Sequence, residues 1–154
     1  MQSSTELLTR TVAEWQLLRL AFDYAQAVDR RNPDLFAALF TADGTFERSG
    51  TPPKSRQEIY RIPLLLAGKY VSTLHTVLNQ TMDVDGDCAT GETYCIAYHV
   101  LKGDGGTVIS VNKALRYQDT CVKREDRWLF RKREMICDWT EARQVRLGGE
   151  ALVD

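Results

Sequence analysis

Only two of the 154 residues are histidine, and each lies in a segment patterned as a strand. His75 sits in residues 73–80, T-L-H-T-V-L-N-Q. In a strand, His75, Val77 and Asn79 would face one side and Leu74, Thr76 and Leu78 the other. His99 belongs to a second strand-like run over residues 93–101. Imidazole suits proton transfer at neutral pH, provided a partner fixes its tautomer, and a buried carboxylate is such a partner. Asp29 is the candidate. Trp15, Leu18, Phe22 and Ala25, spaced by three and four, mark the buried stripe of a helix over residues 5–29, and four residues further the stripe lands on Asp29. That carboxylate also falls in the last turn, where the helix dipole disfavours negative charge, so it needs a partner or water. Spacing leaves two outcomes open: a dyad with His75, 46 residues away, or a frayed helix end with Asp29 turned toward Arg30 and Arg31.

The elements that must position these groups follow from pattern. Asn32 is an N-cap and Pro33 a first helical residue, opening a short helix with Leu35, Phe36, Leu39 and Phe40 on its apolar side. A brief strand over residues 45–48 precedes a loop over 49–54. Ser55 to Glu58 form a capping-box pattern for a third helix, in which Pro63 predicts a kink or early break. From Tyr70 onward the texture is β: four long strands in a meander, with Asp85-Gly86 a strong hairpin turn. The fold class is α+β, with three N-terminal helices packed on one face of a mainly antiparallel sheet. Residues 1–154 read as a single domain. The tail from Thr140 has no clear pattern.

Composition narrows the function. With 20 basic and 21 acidic side chains the net charge is −1, so no bulk field recommends nucleic acid or an anionic membrane. No apolar run is long enough to span a bilayer, and the start has no signal-peptide layout, so the expected location is cytoplasmic. Cys88, Cys95, Cys121 and Cys137 form no C-x-x-C pair and read as reduced thiols; with the two histidines 24 residues apart, no metal site is expected.

A-V-D-R-R at residues 27–31, T-L-H-T-V-L-N at 73–79, R-Y-Q-D at 116–119 and W-L-F-R-K-R at 128–133 together resemble the SnoaL-like, nuclear transport factor 2-like superfamily. Within it the motifs look most like those of scytalone dehydratase and hexachlorocyclohexane dehydrochlorinase. The likeness runs from about Glu6 to Trp139. It implies a cone-shaped α+β fold, no cofactor, a catalytic set of Asp29, His75, His99 and Arg133, and a homodimer or homotrimer. Tyr117 matches a pocket position of those relatives. Val28 stands where scytalone dehydratase has a tyrosine, Tyr24 where the dehydrochlorinase has a lysine, and no tyrosine lies at residues 46–48.

On the sequence itself, Arg133 shares a strand face with Met135 and Cys137. An enclosed guanidinium there needs a carboxylate, either Asp29 or one on a substrate; the other reading is a surface arginine in the cluster 131–133. Tyr24, Tyr117, Asn79, Val77 and Trp139 are the candidate substrate contacts, each also readable as packing. The expected activity is a cofactor-independent lyase of dehydratase type acting on a small, largely apolar cyclic or polyketide-like molecule, with Asp29 and His75 as general base. The alternatives are an isomerase or cyclase using the same dyad, and a non-catalytic ligand-binding or assembly domain.

Overall fold

A computed structural model describes residues 3–148. Ser3 and Glu6 close a reciprocal capping box, with backbone-to-side-chain bonds of 2.8 and 3.2 Å, and so start α1 (Ser4–Asp29). The buried stripe of α1 is rotated from the expected one. Leu17, Leu20, Ala21, Tyr24 and Val28 face the core, whereas Trp15 is 61% and Phe22 37% exposed. Both periodicities fit the apolar residues, and the one ending in Tyr24 and Val28 meets the sheet. At the end of α1, Arg31 takes a left-handed backbone (φ 57°) and the Asn32 N–H bonds the Ala27 carbonyl at 3.0 Å, reversing the chain. The Asn32 side chain then accepts from the Leu35 N–H, capping α2 (Pro33–Ala38) as expected.

Phe40 leaves the second helix and begins β1 (Phe40–Arg48), a longer strand than the sequence suggested. The α3 helix (Arg56–Lys69) opens on the Ser55–Glu58 box and runs through Pro63 without ending there, so of the expected kink or early break the break does not occur. Pro63 deprives the helix of one N–H, but Ile59 and Pro63 are both buried, and their packing holds the turn.

Then come β2 (Ser72–Asp85), β3 (Cys88–Lys102), a 3₁₀ turn at Asp104–Gly106, β4 (Val108–Arg124) and β5 (Arg127–Gln144). The sheet order is β1-β5-β4-β3-β2, antiparallel except where β1 lies parallel to β5. This is the expected α+β layout: helices packed on a curled, mixed, five-stranded sheet. The curl leaves no room at Gly91, where a Cβ would come within 2.0 Å of the Thr81 carbonyl oxygen.

Register slips in the sheet alter which side chains face inward. Between Val77 and Gln80 the β2–β3 register slips, with Leu78 and Asn79 facing a single β3 residue, Tyr94. The inward set is therefore Thr73, His75 and Val77, then Gln80 and Met82. Asn79 is exposed, contrary to expectation, and Gln80 takes the inward place, donating to Thr93 Oγ1 at 3.0 Å. Another bulge separates the pairs Leu115–Cys137 and Ala114–Trp139. It leaves Trp139 54% exposed on the side of the sheet away from the helices, so the expected pocket contact is not made. The β5 strand accounts for the tail as far as Gln144, and residues 149–154 lie outside the described ones.

Candidate active site

The β2 strand is at the sheet edge, so the backbone N–H of His75 is free of strand pairing. Asp29, at the last residue of α1, takes it. The His75 N–H donates to Asp29 Oδ2 at 2.7 Å, while His75 Nδ1 lies 2.7 Å from Oδ1. Thr73 donates its hydroxyl to Oδ1 at 2.8 Å and accepts from Arg31 Nη1 at 3.0 Å. The end of the helix is thus bound to the edge strand by one carboxylate. Those bonds offset the unfavourable dipole at this position. Burial alone would raise the Asp29 pKa, but hydrogen bonds from His75 and Thr73 and the nearby imidazole prevail and hold it below the ordinary 3.8. An ionised carboxylate only accepts, so Nδ1 carries the hydrogen toward Asp29, and in the neutral ring Nε2 is left as acceptor.

His75 and His99 both border a cavity of about 110 Å³. Their rings are 5.6 Å apart, nearly perpendicular, and the Tyr70 ring lies 4.7 Å from His99. Val28, Leu66, Leu115 and Met135 supply apolar wall, and Tyr24 and Tyr117 stand at its base. His99 is buried and its Nδ1 has no hydrogen-bond partner. Burial first, then repulsion from His75 and Lys113, lowers its pKa to about 4, so His99 is neutral at pH 7. Burial likewise pushes the Tyr24 hydroxyl up to about 12 and Tyr117 well above its ordinary range, leaving both as neutral phenols.

Arg133 is enclosed, as one reading had it, but its partner is neither Asp29 nor a cavity-bound group. It forms a two-pronged pair with Asp119, at 2.8 Å on each prong, from the facing position of β4. The rings of Tyr24, Tyr117 and Phe130 lie 4.3, 4.2 and 4.0 Å from its guanidinium carbon. Burial works against the charge, yet the Asp119 carboxylate outweighs it and the Arg133 pKa is raised. Arg133 therefore stands behind two cavity tyrosines and does not border the cavity. Val77 shares the His75 side of β2, half-buried, but also does not border it.

The structure thus brings Asp29, His75, His99, Tyr24 and Tyr117 together and sets Arg133, Val77, Asn79 and Trp139 apart. Thr73, Tyr70, Lys113 and Asp119 were not singled out beforehand. Signals for two existed: Lys113 is a cation on the strand face of Leu115 and Tyr117, and Asp119 is a carboxylate on that same face, the natural partner for an inward arginine. All four cysteines are free thiols, Cys95 and Cys121 buried, Cys88 and Cys137 exposed. No helix among the described residues is long and apolar enough to cross a membrane, and none of them form a group of three or more potential metal-ligating side chains.

Comparison with known proteins bears on the same region of the chain. A family model described as a SnoaL-like domain matches residues 9–134. An uncharacterised protein of Mycobacterium tuberculosis is 28% identical over 129 residues, 79% of this chain and 84% of the relative. A candidate scytalone dehydratase of Novosphingobium aromaticivorans superposes with a TM-score of 0.79 at 24% identity, covering 93% of this chain and 97% of that one. A hexachlorocyclohexane dehydrochlorinase of Novosphingobium barchaimii gives a TM-score of 0.75 at 19% identity, over 96% of this chain and 98% of that one. At these identities the superpositions speak for the fold.

Proposed function

Because the chain belongs to the SnoaL-like domain family, we propose that it is a cofactor-independent lyase of the dehydratase type, acting on a small cyclic or polyketide-like molecule. The observation that carries this reading is the pair of 2.7 Å bonds by which Asp29 holds His75, backbone and ring, at the wall of the cavity. Asp29 fixes Nδ1–H, and Nε2 removes a proton from a carbon next to a leaving hydroxyl or halide. His99, neutral and on the same cavity wall with its ring 5.6 Å from that of His75, offers a ring N–H to an oxygen of the reacting molecule as charge builds there. Arg133 does not touch the substrate in this scheme; it holds the rings of Tyr24 and Tyr117 in place.

The names of the structurally similar proteins, a dehydratase and a dehydrochlorinase, favour elimination over isomerisation or cyclisation, although all three begin with the same proton abstraction. Self-association through the outer sheet face, where Leu74, Leu78, Tyr94 and Trp139 are exposed, belongs to the same proposal.

The test is hydrogen–deuterium exchange at the α-carbons of a panel of cyclic ketones and β-hydroxy ketones, with product elimination followed by mass spectrometry. The parent protein is expected to catalyse exchange, and His75→Ala to lose about 10²–10⁴-fold while keeping its fold. Undiminished exchange in folded His75→Ala would refute the assignment.

A further inference from the structure

The cavity beside His75 is apolar over most of its wall, but the charges around it are of one sign. Lys113 from β4, Lys54 from the loop before α3 and Arg48 from the end of β1 all border it, and no aspartate or glutamate does. None of the three makes an ion pair with another described residue. Glu58, which feels the Lys54 charge, is committed to the Ser55 cap. The backbone that carries two of the cations is fixed. Lys113 faces Ala97 across the β3–β4 ladder, one inward step from the His99–Val111 pair, and its charge helps lower the His99 pKa. Lys54 is anchored by two backbone hydrogen bonds to Phe46, at 3.2 and 2.6 Å.

Lys113 and Lys54 are half-buried and Arg48 is exposed, and an occupant of the hollow that carries a negative charge gains a charge-assisted bond to them. A wholly neutral, greasy ligand would cover the two half-buried cations without supplying a partner. We propose that the cavity takes an acid: a small cyclic molecule whose carboxylate is bound by Lys113, with Lys54 and Arg48, leaving its ring carbons against His75. This rests on the lyase reading above and names the substrate class for the same site. Lys113 is then a specificity-determining residue, and the Tyr70, Leu66 and Met135 side chains are the walls against which the ring packs.

The experiment is calorimetric titration of the full chain with benzoate and with the neutral, equally sized benzamide, at low ionic strength. Benzoate is expected to bind about tenfold more tightly, the scale of one charge-assisted hydrogen bond. The preference should shrink as salt is added, vanish in Lys113→Met and return in Lys113→Arg. Lys54→Met, which leaves the backbone anchor intact, should reduce it and serves if Lys113→Met does not fold. Equal affinities, no benzoate binding, or a preference untouched by both methionine variants overturns the inference. Failure of the lyase reading looks different. In that case benzoate is still preferred, but no cyclic ketone or keto acid exchanges its α-hydrogens. Conversely, exchange on neutral ketones with no benzoate preference removes the acid subsite and leaves the lyase standing.

Discussion

Two carboxylates anchor a nitrogen base in this molecule, and their surroundings differ. Asp119 grips Arg133 with both oxygens where neither side chain is more than 1% exposed, and aromatic rings close the site. Asp29 grips His75 at the edge of the sheet, with its own side chain 17% exposed and the far nitrogen of the imidazole left over. The first pair spends both carboxylate oxygens on the guanidinium Nε and Nη2, and three aromatic rings pack against the guanidinium. The second satisfies one side of a ring and leaves the other side for chemistry. The difference teaches that a buried charge pair signals function by the valence left unused, not by burial.

The largest expected effect lies in the closed pair. Arg133→Met leaves the Asp119 carboxylate unpaired in the core and should cost about 3–5 kcal/mol in urea unfolding, whereas joint replacement with Asp119→Leu should recover much of that loss. A single replacement costing under about 1 kcal/mol would mean that the pair is solvated and the contrast false.

A smaller effect distinguishes the open region by pH. His99 has its folded pKa lowered to about 4 from an ordinary 6.5, so between those values the unfolded chain binds the extra proton. Stability from this group is complete above about pH 6.5 and declines as pH falls toward 4. Asp29, also with a lowered folded pKa, adds a decline only below the ordinary carboxylate range near 3.8. Unfolding curves of the parent against His99→Gln should separate the two windows: the variant loses the upper decline and keeps the lower. A variant identical to the parent across the upper window would contradict a neutral, buried His99.

The smallest effects test the bulge. Gln80→Ala removes an inward bond and should cost about 1 kcal/mol, while Asn79→Ala, on an exposed side chain, should stay within about 0.5 kcal/mol and leave ketone exchange unchanged. A loss of exchange in Asn79→Ala would return that residue to the site.

What the sequence disclosed, and what it hid, divides along the same physical lines. Short-range chemistry was legible: the Asn32 cap, the Ser55–Glu58 box and the Asp85-Gly86 turn depend on neighbours a few residues apart. The meeting of Asp29 and His75 was one of two outcomes that the helix stripe allowed, and it took the resemblance to point at it. Asn79 was misplaced because one extra residue in a strand reverses the inward side, and nothing in V-L-N-Q marks the slip. The α1 stripe was misread because Trp15 and Phe22 are as apolar as the buried Leu17 and Leu20. The partner of Arg133 was obscure because it depends on the register of two strands, which only the folded sheet sets.

The central claim is that Asp29 fixes which nitrogen of His75 is free. Nitrogen NMR of selectively labelled histidine measures this directly, because protonated and unprotonated ring nitrogens resonate far apart. In the parent protein with a neutral ring, His75 is predicted to show hydrogen on Nδ1 and a bare Nε2, and Asp29→Asn should disturb that assignment. A bare Nδ1 in the parent would contradict the account.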